Sequence, residues 1–397
     1  MTRHIAFRAW DTDATFGAGT LQGALVSGGG LRYDGAAGVR RYADPYAADP
    51  APARFEWAAW VSPPVEPGFA FTSVIPSWNA ATPDGSWLEV EIRVSRDGIA
   101  MSPWYALARW AETDVDIHPT SVTGQGDDAA QVLTDVLMAR DGVSWTSYQL
   151  RVVLLRRPGS DATPTVRLVS AVAADVRHEP PATTSTAGPV RGRELAVPAY
   201  SQQVHRGEYP EWANGGESWC SPTSTSMVLD FWGRGPAPEE YAWVEPGLQD
   251  RFVDHAARYV FDYAYDGAGN WSFNTAYAAR HGTTAFVTRL RDLTEAERFV
   301  AAGIPLVATV AFRSEDLEGA GYATGGHLLT IVGFDAGGDV ISNDPASHGK
   351  PSNDEVRSVY DRAQFERAWL GSGGVVYVIY PPSVALPPAP VPSEPNW

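Results

Sequence analysis

Ser218-Trp219-Cys220-Ser221-Pro222-Thr223-Ser224-Thr225-Ser226-Met227-Val228-Leu229 holds the one cysteine of a 397-residue chain. Pro222 suits the first turn of a helix, where its missing N–H leaves no bond unmade. Met227-Val228-Leu229, followed by Phe231-Trp232, carries the helix on, and Gly233 stops it. Cys220 therefore stands at a helix N-terminus. Unpaired N–H groups and the helix dipole favour a thiolate there, and the thiolate is the nucleophilic form. The same position also suits a structural cysteine packed as a small hydrophobe.

Further along, Thr324-Gly325-Gly326-His327-Leu328-Leu329-Thr330-Ile331-Val332-Gly333-Phe334 reads as a buried strand opening on a histidine. The glycines before His327 leave room for a substrate to approach. Ala336-Gly337-Gly338 turns into a second strand, Asp339-Val340-Ile341-Ser342, which ends in Asn343-Asp344-Pro345-Ala346. Antiparallel strands joined by a short turn put His327 and Asp344 near one end of the hairpin. A carboxylate there can hold an imidazole in one tautomer. Singly, His327 fits a hydrogen-bonded core histidine and Asp344 a turn residue before Pro345. With Cys220 they also fit a thiol, imidazole and carboxylate set.

The ordered pattern Val197-Pro198-Ala199-Tyr200-Ser201-Gln202, Trp219-Cys220-Ser221-Pro222, Gly326-His327-Leu328 and Asn343-Asp344-Pro345 resembles the bacteriocin-processing, double-glycine-leader cysteine peptidases. It is closer still to their stand-alone bacterial relatives. The resemblance covers residues 197–380 and implies a papain-like fold. It implies Cys220 as nucleophile, His327 as general base and acid, and Asp344 as the group orienting the imidazole. It also implies Gln202 as a side-chain donor to the oxyanion beside the Cys220 N–H, with Gln203 the adjacent competitor. Trp219, Ser221, Asn274 and Gly326 are expected along the cleft. Asn274 comes from Gly269-Asn270-Trp271-Ser272-Phe273-Asn274-Thr275, which resembles a stretch in the stand-alone relatives and also reads as a packed helix entry. Ser221 departs from the glycine usual after the cysteine, and a side chain there could crowd the substrate backbone.

Composition bounds the rest. The length suggests two or three domains. A net charge of −17 argues against nucleic acid or an anionic membrane as partner. One cysteine excludes an intrachain disulfide. Fifteen tryptophans and sixteen tyrosines point to β-rich packing and an aromatic binding surface. No segment approaches the roughly 18 apolar residues of a membrane span. The N-terminus has no apolar stretch of signal-peptide length, so the chain as written is expected in the cytoplasm. An upstream start would make it extracellular, since the stand-alone relatives often carry an export signal.

Residues 1–177 are dominated by turns and short alternating runs. Leu88, Val90, Ile92 and Val94 share one face, and Glu89, Glu91, Arg93 and Ser95 the other, as in a half-buried strand. Such strands predict an all-β antiparallel sandwich, with helical periodicity only at 128–138. Residues 178–194 read as a polar Pro/Thr linker. Residues 195–380 predict an α+β domain, with helices near 256–265, 273–280, 293–302 (capped by Thr294) and 361–370. Residues 381–397 form a Pro-rich tail, expected extended or disordered. There is no G-x-S-x-G, H-E-x-x-H, paired CxxC or P-loop, so neither metal nor cofactor is expected. The acidic run Thr113-Asp114-Val115-Asp116-Ile117-His118 lacks the other ligands of a calcium loop and reads as solvated.

The expected activity is thiol-dependent hydrolysis of a peptide or protein, the sandwich serving as a carbohydrate- or protein-binding module. An amidase or acyl or peptidyl transferase using the same thiol is one alternative. A non-catalytic binding protein acting through its sandwich is another.

Overall fold

Alternating Val, Ile, Leu and Trp runs in the first half build two seven-stranded, mostly antiparallel sheets in the computed structural model, which describes residues 3–176 and 183–397. The chain divides into two bodies. One is Ala6–Asp175 with Asp262–Asp266; the other is Val176–Phe261 and Gly267–Trp397 with Met1–Ile5. The first part of the expected linker lies outside the described residues.

In the first body, one sheet is centred on Ser73–Ala81 and Thr165–Ala174, the other on Ser86–Ser95 and Ser147–Arg156. Tryptophans join them. Trp10 and Trp78 of the first sheet meet Trp60 and Trp110 of the second edge-on, with ring centroids 5.4 and 6.3 Å apart. Edge-to-face contact aligns the positive ring edge with the negative face.

Three expectations change here. The 128–138 stretch is a hairpin, Ala130–Leu133 against Val136–Ala139, because Val132 and Leu137 pair across it. Glu89 and Glu91 are buried, not solvated. Arg40 and Arg109 pair with Glu89, Arg151 pairs with Glu91, and Arg93 and Arg151 stand over the Trp104 ring at 4.5 and 4.7 Å. Arginine covers that sheet face by pairing and cation–π contact, which alternation alone cannot reveal. The 113–118 run is bonded within the fold, Asp116 by Arg157 and the Gly85 N–H, His118 by Asp44.

The second body is built on a seven-stranded antiparallel sheet in the order Thr284–Arg289, Val375–Tyr380, Leu306–Phe312, Thr324–Phe334, Val340–Asn343, Arg357–Tyr360, with Arg193–Glu194 added to Thr324–Phe334. The Cys220–Phe231 helix packs on the Thr324–Phe334 strand. Every residue from Ser221 to Leu229 is buried, so the helix is covered all round. Its hydroxyls find partners: Thr223 bonds the Trp219 carbonyl, Ser224 the Leu328 carbonyl and Thr225 the Asn274 amide. Helices Phe252–Val260 and Trp271–Arg280 start earlier than the periodicity implied. Leu293–Ala301 is capped by Asp292, whose carboxylate accepts from the Thr294 and Glu295 N–H groups, so Thr294 is inside the helix. Asp361 caps Arg362–Gly371 as its spacing implies.

Residues 381–397 form no helix or strand, yet they are docked. Asn396 is fully buried, donates to the Arg289 carbonyl and Glu295, and accepts from Arg291. Trp397 packs on Phe299 with ring centroids 4.8 Å apart. Two residues of the expected linker are likewise held: the Ser185 N–H donates to Glu366 and the Gly188 N–H to Glu297.

Candidate active site

Cys220 is the first residue of its helix, and Trp219 before it supplies no side-chain cap. The first-turn N–H groups have no intrahelical acceptor, so they are free for an anion. Cys220 as a residue is partly exposed. Burial pushes its pKa up, but the His327 ring and hydrogen bonds from the Leu328 and Ser221 N–H groups outweigh that and leave it below the usual thiol value.

His327 opens the buried part of the Thr324–Phe334 strand and is 5 % exposed. Its Nε2 lies 2.8 Å from Asp344 Oδ1, which leaves Nδ1 for the sulfur. Burial lowers the imidazole pKa, but Asp344 and the Cys220 thiolate raise it further, to about 10. Together the two shifts favour a thiolate–imidazolium pair.

Asp344 follows the Val340–Asn343 strand and is 1 % exposed. Burial alone would keep it protonated. His327 and two tyrosines reverse this and hold its carboxyl below the usual range. Tyr322 and Tyr360 each donate to Oδ2 at 2.7 Å, and the Ala346 N–H donates to Oδ1 at 3.0 Å. The Tyr322 ring also meets the His327 ring edge-on at 5.5 Å. Sequence reasoning missed both tyrosines, which sit on separate elements with no motif to link them. Neighbouring Asn343 points elsewhere, donating to the Val197 and Pro198 carbonyls, and Asp335 caps its own turn.

Gln202 lies in a short 3-10 turn, Gln202–His205, and is buried. Its N–H donates to the Pro345 carbonyl, which ties this turn to the Asp344 turn. Its side-chain amide donates to the Glu217 carbonyl at 2.6 Å, three residues before Cys220. Gly216 allows this approach, since a Cβ there would come within 2.4 Å of the Gln202 carbonyl oxygen. Gln203 instead accepts from Arg206.

The residues expected along the cleft divide. Gly326 is exposed. Trp219, Ser221 and Asn274 have no exposed surface. Ser221 shares a hydrogen bond with Tyr377 inside the body, at 2.9 Å, so its side chain does not crowd a substrate above Cys220.

Two family matches cover the chain. Residues 6–174 match the Peptidase C39 N-terminal domain, and residues 194–377 match the Peptidase_C39 like family. This chain is a relative of the C39-type cysteine peptidases. The match supports a cysteine-type peptidase acting on a peptide or protein. No curated protein matches the chain. Among solved structures, an infectious bursal disease virus Gt strain structure is similar at 10 % identity over 43 % of this chain and 33 % of its own, with a TM-score of 0.21. A Clostridium thermocellum xylanase 10B structure, its CBM22-1 and GH10 modules complexed with xylohexaose, is similar at 10 % identity over 51 % and 33 %, with a TM-score of 0.18. The chain thus spans about a third of each of those structures, and at such TM-scores the likenesses carry no argument.

In this C39 relative the two tyrosines yield a prediction. Tyr322→Phe and Tyr360→Phe each remove one donor from a buried carboxylate, a bond to a charged group contributing about 1.5–3 kcal/mol. Each variant is expected to lower kcat/KM by about tenfold. In the double variant the Asp344 pKa rises, because fewer donors stabilise its anion. A depressed carboxyl keeps its charge above its folded pKa and loses it as pH falls through that value. Activity should therefore fail at a higher pH on the acid side than in the parent, read from a pH–rate profile. An unchanged acid limb would show that the tyrosines only pack.

Proposed function

We propose that this chain is a peptide-bond hydrolase working through a Cys220–His327–Asp344 triad. The observation that carries the reading is the continuous line from a helix-terminal thiol to an imidazole whose other nitrogen is held by a four-donor carboxylate. Cys220 attacks the scissile carbonyl as the thiolate. His327 Nδ1 holds the thiol proton and then gives it to the leaving amine. Water, deprotonated by His327, cleaves the acyl-enzyme and restores the thiol. The Cys220 N–H and the Gln202 amide receive the oxyanion. In fold terms the domain is papain-like, a reading supported by a buried helix that starts at the nucleophile and packs on the antiparallel strand carrying the base.

The test is the pH dependence of alkylation. Iodoacetamide should modify Cys220 with a midpoint below the roughly 8.5 of a free thiol. His327→Ala should move the midpoint upward, because the imidazolium that stabilises the thiolate is gone. A parent midpoint at or above the free value would remove Cys220 as nucleophile.

A further inference from the structure

Away from the Cys220–His327–Asp344 line, a second cluster of ligating side chains is buried and incompletely bonded. His205 ends the Gln202–His205 turn, Glu208 follows three residues later, and Asp254 lies in the first turn of the Phe252–Val260 helix. His205 Nδ1 is 2.8 Å from Glu208 Oε2 and 3.4 Å from Asp254 Oδ2. One ligand atom from each residue falls within 4.8 Å of the others. The His205 and Asp254 side chains are 0 % exposed, and that of Glu208 is 14 % exposed.

The bonding does not close. Among the described residues neither oxygen of Asp254 has a hydrogen-bond partner, nor has His205 Nε2. Nδ1 has a single proton to give, and it is aligned with Glu208. Asp254 is left as a buried carboxylate aimed into the cluster, with the His205 ring at 3.4 Å as its one counter-group and no hydrogen bond in good geometry, an arrangement that a bound cation would complete. With a neutral imidazole the two carboxylates carry two negative charges, which one divalent ion balances.

We propose that His205 Nδ1, Glu208 and Asp254 bind one divalent transition-metal ion of the zinc class. Tetrahedral zinc bonds to nitrogen and oxygen of about 2.0–2.2 Å place neighbouring ligand atoms about 3.3–3.6 Å apart. Asp254 Oδ2 already stands at 3.4 Å from Nδ1, and Glu208 Oε2, hydrogen-bonded at 2.8 Å, moves outward when the ion replaces the proton. One imidazole and two carboxylates suit such an ion, whereas calcium takes six or more oxygens. The ion replaces the Nδ1 proton, which leaves to solvent, and water fills the remaining position on the exposed Glu208 side. The Trp219 ring packs on the imidazole with centroids 5.7 Å apart and holds its orientation. The bound ion clamps the Gln202 turn to the Phe252–Val260 helix. It is a structural site, and the proposal does not depend on the peptidase reading.

The test uses the full chain carrying Cys220→Ala, which removes the thiol as a competing ligand. After chelator treatment, calorimetric titration with zinc chloride should give one equivalent bound and a raised melting temperature. Adding Asp254→Asn should abolish both effects. If that variant does not fold, Glu208→Gln, at the cluster's exposed edge, should weaken zinc by at least about tenfold. Cobalt on the Cys220→Ala chain should give a visible d–d spectrum that Asp254→Asn removes. Absence of zinc binding in the Cys220→Ala chain, or binding unaffected by both carboxylate changes, would overturn the site.

Discussion

Cys220→Ala, His327→Ala and the double variant are expected to be almost equally inactive, each losing about 10⁴-fold or more in kcat/KM. In the proposed mechanism the two groups act as one unit. The imidazolium facing the sulfur favours the thiolate, and the thiolate and Asp344 favour the protonated imidazole. Removing the sulfur leaves no nucleophile for His327 to serve. Removing the imidazole leaves a thiol with no proton acceptor and an amine with no proton donor. A second removal then has little left to take away, so the double variant should not approach the product of the single losses. Both variants should keep the fold. Cys220→Ala changes a partly exposed position at a helix start, and His327→Ala leaves Asp344 with Tyr322, Tyr360 and the Ala346 N–H. Hydrolysis of a peptide library, with circular dichroism and thermal melting as fold controls, measures this. Turnover surviving in a folded Cys220→Ala chain would end the thiol mechanism, and losses that multiply would make the two groups independent contributors.

The residues that could be read from the sequence are those whose signal is local. Pro222 and Gly233 bracket a helix, the glycines before His327 and the turn at 336–338 mark a hairpin, and Asp361 has the spacing of a cap. Signals that depend on packing could not be read. The Cys220–Phe231 helix has no polar face to advertise it, because its serines and threonines are buried, Ser221, Ser224 and Thr225 with partners on other elements. Strict alternation at Glu89 and Glu91 predicts a wet face, but arginines from three other strands cover it. The tail shows only its prolines, whereas Asn396 docks it by bonds to residues far back in the chain. The site divides in the same way. Cys220, His327 and Asp344 stand next to readable turns and caps, while Tyr322 and Tyr360 reach Asp344, and in the separate cluster Asp254 reaches His205, only once the sheet and helices are assembled.

Gln202→Ala is expected to lower kcat by about 10²–10³ with KM little changed. The amide nitrogen carries two hydrogens, and one is used on the Glu217 carbonyl. That bond fixes the amide plane against the segment leading into Cys220, and the Pro345 carbonyl fixes the Gln202 backbone to the Asp344 turn. In the proposed mechanism the second hydrogen serves the oxyanion, and with the amide plane fixed it would need no reorganisation when charge develops on the carbonyl oxygen. A donor of this kind strengthens mainly in the transition state, which is why the loss belongs in kcat. Gln203→Ala should cost far less, because its side chain is engaged with Arg206. Gln202→Glu separates donation from shape. It keeps the volume but sets a carboxylate against the Glu217 carbonyl and the developing oxyanion, so its kcat should fall at least as far as that of the alanine variant. Steady-state kinetics on one peptide substrate compare all three. Full kcat in Gln202→Ala would remove the side chain from the oxyanion site and leave the Cys220 N–H as the remaining assigned donor, whereas a matching rise in KM would mean that Gln202 binds the ground state as strongly as the transition state.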